Sequence, residues 1–464
     1  MKFNDLAFAL AGGLSLFLLA GCVTNPITGK QQFSLLQGES GKSQLLSLAK
    51  QAVPSQFSSD YGESSDAQAS AYVSRIGRKL VATLTPADTV FPDMPFSFHV
   101  VNAVYINAYA FPDGTIAITR GMLAELENEA QLAAVLGHEI AHVNCGHTAS
   151  AMSKSTVYDM LISGTQGYLA SQGSSWADLA GTAGQLGSAA VLASYSRAQE
   201  READEGGMLY MVRAGYDSQG MVDLQQLLVR LSGSNPSVLE QMFSTHPMSS
   251  ERLQTAQERA RTQYAGKNRG VVNRDAYLAA TANIRRNKEA YKCFAAAEAQ
   301  LAQKQYAAAK ASAEQGLRLA PNDYVGLMLL AQAQQQAGNT AAAQQAAALA
   351  ARVNPTGARA QSMLAQCALQ RKDYAGALQH LNAFERQVPG DATTAFYKGL
   401  AYEAQGQNAQ AAQAYSAFVR KGGTASSRGR YAAQRVQQLQ ARPASARPAD
   451  TPAPQTPKPA PRRR

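Results

Sequence analysis

Histidine is scarce in this chain, with six residues in 464, and cysteine is scarcer, with four. There is one tryptophan, and charged residues make up only 16%. Beyond the N-terminus no segment runs for 18 apolar residues, which excludes an ordinary membrane-spanning helix there. A basic domain face is missing too. The net charge is +10, yet from Arg420 to the end eleven Lys and Arg stand against one acid, Asp450, a surplus equal to the whole. Only the tail can therefore meet an anionic surface. It lacks interleaved aromatics, so nucleic acid is not an expected partner. What the chain does have is Ala and Gln in quantity, which reads as helix, and enough length for two or three domains.

The N-terminus reads MKFNDLAFALAGGLSLFLLAGC, with an apolar run of fourteen residues from Leu6 to Leu19. That run suits a secretory signal over residues 1–21. Leu19-Ala20-Gly21-Cys22 resembles the bacterial lipobox, which implies lipidation of Cys22 and an anchored protein that does not span the membrane. Val23 after the cysteine, in place of Asp, points to the outer membrane, facing the periplasm. Cys145, Cys293 and Cys367 remain, an odd number, so at least one is unpaired within the chain.

Residues 22–65 form an anchor and linker segment with a short helix around Gln44 to Ala52. From 66 to 84 apolar residues recur at helical spacing, and Phe96 to Val101 alternate as a strand. Val104–Ala110 and Thr115–Thr119 flank the turn signal Pro112-Asp113-Gly114 and predict a hairpin. A helix is expected from about Gly121 to Cys145, and others near 191–213, 218–231 and 249–263. Residues 163–190, rich in Gly, Ser and Ala, read as a mobile helix or flap.

After a linker helix over 271–289 the chain repeats. Pro321, Pro355 and Pro389 are 34 residues apart, as are Ala309, Ala343, Ala377 and Ala411, and the small residues Ala297, Ala331, Ala365 and Gly399. That period is the tetratricopeptide (TPR) pattern, predicting an all-α solenoid over 290–440 that recruits peptides or proteins. Cys293 and Cys367 fall in apolar and small-residue columns more than two repeats apart, so they read as core residues without a disulfide. Residues 441–464 form a Pro-rich basic tail with too few apolar side chains to fold.

Half of the histidines lie in one window, GHEIAHVNCGH, from Gly137 to His147. On a helix His138 and His142 share a face and can grip one ion, while Glu139 lies beside them, placed to take a proton from a water that zinc has acidified. His147 arrives one residue early for the third ligand of the HExxHxxGxxH pattern, and on a continuing helix it points away; Cys145 is read as packing. The third ligand is sought in Ser196 to Asp204, SRAQEREAD, where Glu200 and Asp204 lie i and i+4. One of the two can bind zinc while the other holds a ligand histidine, unless the run is simply a solvated charged face.

Tyr195-Ser-Arg-x-x-Glu-x-x-Ala-Asp204, following HEIAH by some sixty residues, resembles the gluzincin metallopeptidases related to HtpX and the CAAX prenyl proteases. Within them it looks most like the BepA-like periplasmic proteases, which join this domain to C-terminal TPR repeats. Asn25-Pro-Ile-Thr-Gly29, Asn107 to Pro112, Thr119-Arg-Gly121 and Thr245-His246-Pro247 match as well.

The resemblance implies a mainly α chain: a zincin-like α+β metallopeptidase domain with a small sheet over 66–270, then the repeats. It makes His138, His142 and Glu200 the ligands of one zinc ion, Glu139 the general base, and Asp204 the residue orienting a histidine. Arg197 would brace the Glu200 helix. His246 would approach the zinc, either closing its open position or steadying the oxyanion, although it can also simply cap the next helix. Arg252 would stabilise developing negative charge, and Asn107 and Ala108 would lie on the strand to which substrate backbone adds. Asp113 stands where relatives often have Gly. The implied activity is endopeptidase quality control of misfolded or stalled outer-membrane proteins, with the repeats recruiting clients or β-barrel assembly machinery. The alternative is a chaperone or adaptor whose peptidase site is shut.

Overall fold

Every residue of the helix Glu129–Asn144 is buried, and the peptidase half of the chain is built around it. The computed structural model describes residues 21–154, 195–234, 240–247, 250–266, 270–422 and 426–441. The expected signal up to residue 20, the stretch 163–190 and the tail from 442 lie outside the described residues. Two compact units result, 1–391 and 392–464. No helix among the described residues is long and apolar enough to cross a membrane.

The first unit opens with an antiparallel pair, β1 (Cys22–Thr24) and β2 (Gln31–Phe33). In the loop between them the Asn25 side-chain oxygen accepts from the Ile27 and Thr28 amides. Two helices follow, α1 (Gly38–Ser59) and α2 (Ala67–Val81). Asp66 caps α2 by accepting from Ala69 N, and Val73, Ile76, Gly77 and Leu80 turn inward at the spacing of one helix face. That face packs on β3 (Ser97–Val101), with Gly77 under the Phe98 ring.

β4 (Ala108–Ala110) and β5 (Thr115–Thr119) complete a sheet of order β3-β5-β4, with β3 parallel and β4 antiparallel to β5. The expected hairpin forms, though 104–107 stay outside the ladder. Asp113 is compatible with the turn as it stands: its carboxylate accepts from the Thr115 amide, and the left-handed position falls on Gly114 at φ +87°. β4 lies at the edge of this sheet. Ala108 and Ala110 face the main core, whereas Tyr109 faces a second core with Phe111, Ala117 and residues of α1. There Tyr105 and Tyr109 both donate to the buried carboxylate of Asp60, fixing the strand from behind.

The single helix expected over 121–145 is two: α3 (Arg120–Glu125) and α4 (Glu129–Asn144). Leu126 is extended, and Asn128 restarts the helix by accepting from Gln131 N, so local capping outweighs the continuous apolar pattern. Next come α5 (Arg197–Arg213), α6 (Gln219–Ser234), α7 (Glu240–Thr245) and α8 (Ser250–Arg261). The backbones of α4 and α5 almost touch. A Cβ on Gly207 would lie 2.7 Å from His138 N, and one on Gly137 2.9 Å from Gly207 O.

Two short helices, α9 (Arg274–Ala280) and α10 (Ala282–Arg286), lead into the repeats: α11 (Lys288–Ala302), α12 (Tyr306–Leu319), α13 (Tyr324–Gln336), α14 (Thr340–Val353), α15 (Ala358–Gln370) and α16 (Tyr374–Gln387). The second unit holds α17 (Ala392–Ala404), α18 (Asn408–Gly422) and α19 (Ser427–Ala441). The 34-residue step is literal in the helix starts, at 324, 358 and 392 for first helices and at 306, 340, 374 and 408 for second ones. Ala309, Ala343, Ala377 and Ala411 are fully buried. In the second unit Gly399 lies under the Tyr415 ring. None of the four cysteines forms a disulfide, and Cys145 and Cys367 are buried.

Among the described residues of the first unit, Lys288 pairs with Glu125 at 2.8 Å and a buried ion pair also joins the peptidase half to the repeats. Arg120 donates to both carboxylate oxygens of Asp323 at 2.9 and 3.3 Å, while Asp323 also caps α13.

The α4–α5 crossing gives a sign test. Alanine normally stabilises a helix over glycine by about 0.5–1 kcal/mol. Gly207→Ala is expected instead to destabilise by about 1–3 kcal/mol in chemical denaturation, because its methyl meets backbone that no rotamer change relieves. A neutral or stabilising result would show that the helices do not need this approach.

Candidate metal centre

His138 and His142 leave α4 one turn apart and on the same side. The close crossing of α5 brings Glu200 to them, and His246 arrives on the segment just after α7. The four side chains are buried, and their potential ligand atoms all lie within 4.8 Å of one another. His138 Nε2 and His142 Nε2 are 3.0 Å apart. Glu200 Oε1 is 3.4 Å from His142 Nε2 and Oε2 is 3.6 Å from His138 Nε2. His246 Nδ1 is 3.0 Å from Glu200 Oε1 and 3.4 Å from His138 Nε2.

These edges test the fit of a metal. Zinc with bonds of about 2.0–2.1 Å in tetrahedral geometry needs donor atoms about 3.3–3.4 Å apart. The tautomers point the same way. His138 Nδ1 is 3.0 Å from Asp204 Oδ1, so it carries the ring hydrogen and leaves Nε2 with a bare lone pair. That bare nitrogen faces a second imidazole nitrogen and a carboxylate in a buried pocket. A cation between them removes the conflict, and the residues present fit zinc.

The charges around the cluster are arranged to keep it ready. Burial works against the charge on Glu200, but His246, His142 and Arg252 outweigh it and hold the carboxyl well below its usual range. Burial likewise opposes Asp204, and Arg252 and His138 outweigh it. Burial pushes His142 well down, favouring the neutral ring that a metal needs. Burial also lowers His246, but Glu200 and Glu139 overcome this and raise it. Glu139 is raised by burial, partly offset by His246 and His138. Its Oε2 is buried without a hydrogen-bond partner among the described residues, and its Oε1 lies 3.8 Å from His246 Nε2.

A cavity of about 20 Å³ is lined by Ala108, His138, Glu139, His246 and Arg252, among others. That is room for about one water. Ala108 thus reaches the cluster from the edge strand. Asn107, just before β4, is fixed to β5 because its carbonyl accepts from the Thr119 amide and its own amide donates to Thr119 Oγ1, and its side-chain oxygen is buried without a partner among the described residues.

Three residues lie otherwise than the sequence suggests. Arg197, expected to brace the Glu200 helix, is exposed on the first turn of α5, and among the described residues it makes no ion pair that would do so. Arg252 does: its Nη1 is 2.7 Å from Glu200 Oε2, and its Nε and Nη2 are each 2.7 Å from Asp204 oxygens. Its donors thus lie on two buried carboxylates, a contact the sequence did not suggest. His147 does not point away. α4 ends at Asn144, Gly146 turns the chain at φ +63°, and His147 Nδ1 returns to within 2.9 Å of His142 Nδ1. The helix projection failed because the helix stops, and Gly146 was the available signal.

Two further participants went unread. Glu202 accepts from His147 Nε2 at 3.1 Å. Tyr195 stacks on the His142 ring with centroids 3.8 Å apart. Cys145 is buried beside Asn25 and takes no part in the cluster.

Removing Arg252 leaves two buried carboxylates without their counter-charge. Arg252→Met is therefore expected to lower the stability of the metal-free protein by about 3–5 kcal/mol in urea denaturation. A loss under about 1 kcal/mol would mean that the carboxylates are neutralised by other means.

Comparison with known proteins agrees with this geometry. Residues 67–260 match Peptidase family M48. The chain is 34% identical over 194 residues to the beta-barrel assembly-enhancing protease of Yersinia pestis, covering 41% of this chain and 38% of the relative. It is 33% identical over 195 residues to the protein of that name from Escherichia coli strain K12, covering 41% and 38%. The match thus spans under two fifths of either relative's length. A solved structure named "MamA RS-1 ArsTM double mutant" aligns with 32% of this chain and 94% of its own at 20% identity, with a TM-score of 0.29, too slight a likeness to bear on the fold. The stretch that matches Peptidase family M48, residues 67–260, is the one that carries the cluster of His138, His142, Glu200 and His246.

Proposed function

We propose that this chain is a zinc-dependent endopeptidase, with His138, His142 and Glu200 holding one zinc ion and Glu139 acting as general base. The observation that carries the reading is the buried cluster of three imidazoles and a carboxylate, with Glu139 beside it, in the stretch that matches Peptidase family M48. Zinc bound there would polarise the scissile carbonyl and acidify the attacking water. Glu139 takes the proton from that water in the cavity it shares with His138 and His246, and returns it to the leaving amine. Asp204 holds the His138 tautomer, and Arg252 holds Asp204 and Glu200. A substrate backbone adds to the edge at Asn107 and Ala108, where β4 has no outer neighbour in its sheet among the described residues.

The names of the relatives support a more specific setting: quality control of misfolded or stalled outer-membrane β-barrel proteins. The 34-residue repeats would recruit the client or the assembly machinery, and lipid at Cys22 would hold the site at the outer membrane, facing the periplasm. Such an arrangement concentrates enzyme and client on one surface.

A second reading, a chaperone or adaptor with a latent peptidase, is favoured by His246. Its ring lies among the ligand atoms, and the adjoining cavity is one water in size. The two readings separate in one set of measurements on the purified full chain. Wild type is expected to hold one zinc per chain, and Glu200→Gln to lose it, as does wild type after chelation. Glu139→Gln is expected to retain zinc while cleavage of an unfolded protein falls by about 10²–10⁴-fold. His246→Ala should raise cleavage if the ring closes the open position, and lower it if the ring assists. If wild type, Glu139→Gln and His246→Ala all hold zinc and cleave equally poorly, the peptidase reading fails and the adaptor stands.

A further inference from the structure

The segment before the matched domain reaches the ligand set through an unbroken line of hydrogen bonds. His142 faces the cluster with Nε2, which lies 3.0 Å from His138 Nε2 and 3.4 Å from Glu200 Oε1. Its other nitrogen, Nδ1, is 2.9 Å from His147 Nδ1. His147 Nε2 is 3.1 Å from Glu202 Oε2, and the same oxygen accepts from Asn25 Nδ2 at 2.9 Å. Asn25 is fixed in its turn, because its Oδ1 accepts from the amides of Ile27 and Thr28 at 2.9 and 3.1 Å. Reversing its carboxamide would set an NH₂ against two N–H groups and an oxygen against a carboxylate, so only one orientation satisfies all three partners.

The hydrogens along this line can be assigned without a free choice. A carboxylate accepts only, so His147 must carry its hydrogen on Nε2 and offer a lone pair at Nδ1. His142 must then carry its hydrogen on Nδ1, the nitrogen facing His147. That leaves the lone pair of His142 on Nε2, the atom aimed into the cluster. Both rings and Asn25 are buried, His147 completely, so water does not compete for these positions. Tyr195 lies flat against the His142 ring and blocks its rotation.

We propose that His147, Glu202 and Asn25 are positioning residues that fix His142 as a metal ligand, so that the segment around Asn25 helps to set metal affinity. This rests on the reading of His138, His142 and Glu200 as zinc ligands. It differs from the Asp204–His138 contact in its source: Asp204 belongs to the matched domain, whereas Asn25 lies more than forty residues ahead of it, just after Cys22. The residues closest to the expected lipid anchor therefore also hold a ligand of the metal centre.

The test is zinc affinity, measured on the full chain by competition with a chelating dye, and it does not depend on proteolysis. His147→Ala is expected to weaken zinc binding about 10–100-fold. His147→Gln can still accept from His142 and donate to Glu202, and it should recover most of that loss. Asn25→Ala should weaken binding by a smaller factor, since Glu202 stays. Affinities of His147→Ala and Asn25→Ala both within twofold of wild type would overturn the proposal. If His147→Ala does not fold, Glu202→Leu provides the arm: the side chain is partly exposed, the substitution removes the acceptor that His147 and Asn25 share, and an unchanged affinity there counts against the line equally. Wild type that takes up no zinc removes the metallopeptidase reading itself. Zinc-loaded wild type with indifferent variants removes only this line of positioning residues.

Discussion

Everything at the candidate centre depends on how closely two helix backbones can approach. His138 and His142 are on α4 and Glu200 is on α5, and no local interaction links them. What brings them within 3.4–3.6 Å is a crossing at Gly137 and Gly207, where either glycine's missing methyl would collide with the other helix. Gly206 contributes in the same way, since a Cβ there would come within 2.8 Å of Ala141 Cβ. Small residues at the crossing exchange side-chain packing for proximity, and proximity is what lets short carboxylate and imidazole side chains share one point.

Given that crossing, α5 works as a comb of three carboxylates on alternate residues. Glu200 enters the cluster, Asp204 holds His138, and Glu202 holds His147 and through it His142. Each histidine of α4 thus has a carboxylate of α5 assigned to it, one directly and one at a remove. Arg252 keeps two of the three negative charges from repelling one another in a buried interior. The cluster is a network in which both rings of α4 are held by neighbours.

Much of this was legible in the sequence, and what was missed has a common cause. The HExxH pair and Glu200 with Asp204 depend only on helical spacing, which carries from sequence to structure unchanged. The 34-residue columns proved equally literal, because small residues recur wherever two helices must touch. Errors came where the reading assumed that an element continues. The expected helix over 121–145 breaks at Leu126 because Asn128 caps a new one, and His147 was turned away by extending a helix that Gly146 ends. Arg197 and Arg252 show the other limit. Both are arginines near the right motif, and only tertiary packing decides which reaches the carboxylates.

The size of the cavity beside Glu139 has a kinetic meaning. About 20 Å³ admits one water and no part of a polypeptide, since even a glycine residue is larger. On the peptidase reading proposed above, a polypeptide would reach this centre once Ala108, His246 and their neighbours part. The apparent affinity for any client is then its intrinsic affinity multiplied by the fraction of molecules in the parted form. Discrimination between clients and bystanders can therefore reside in whatever opens the cleft, leaving the side chains that line it free to be small and permissive.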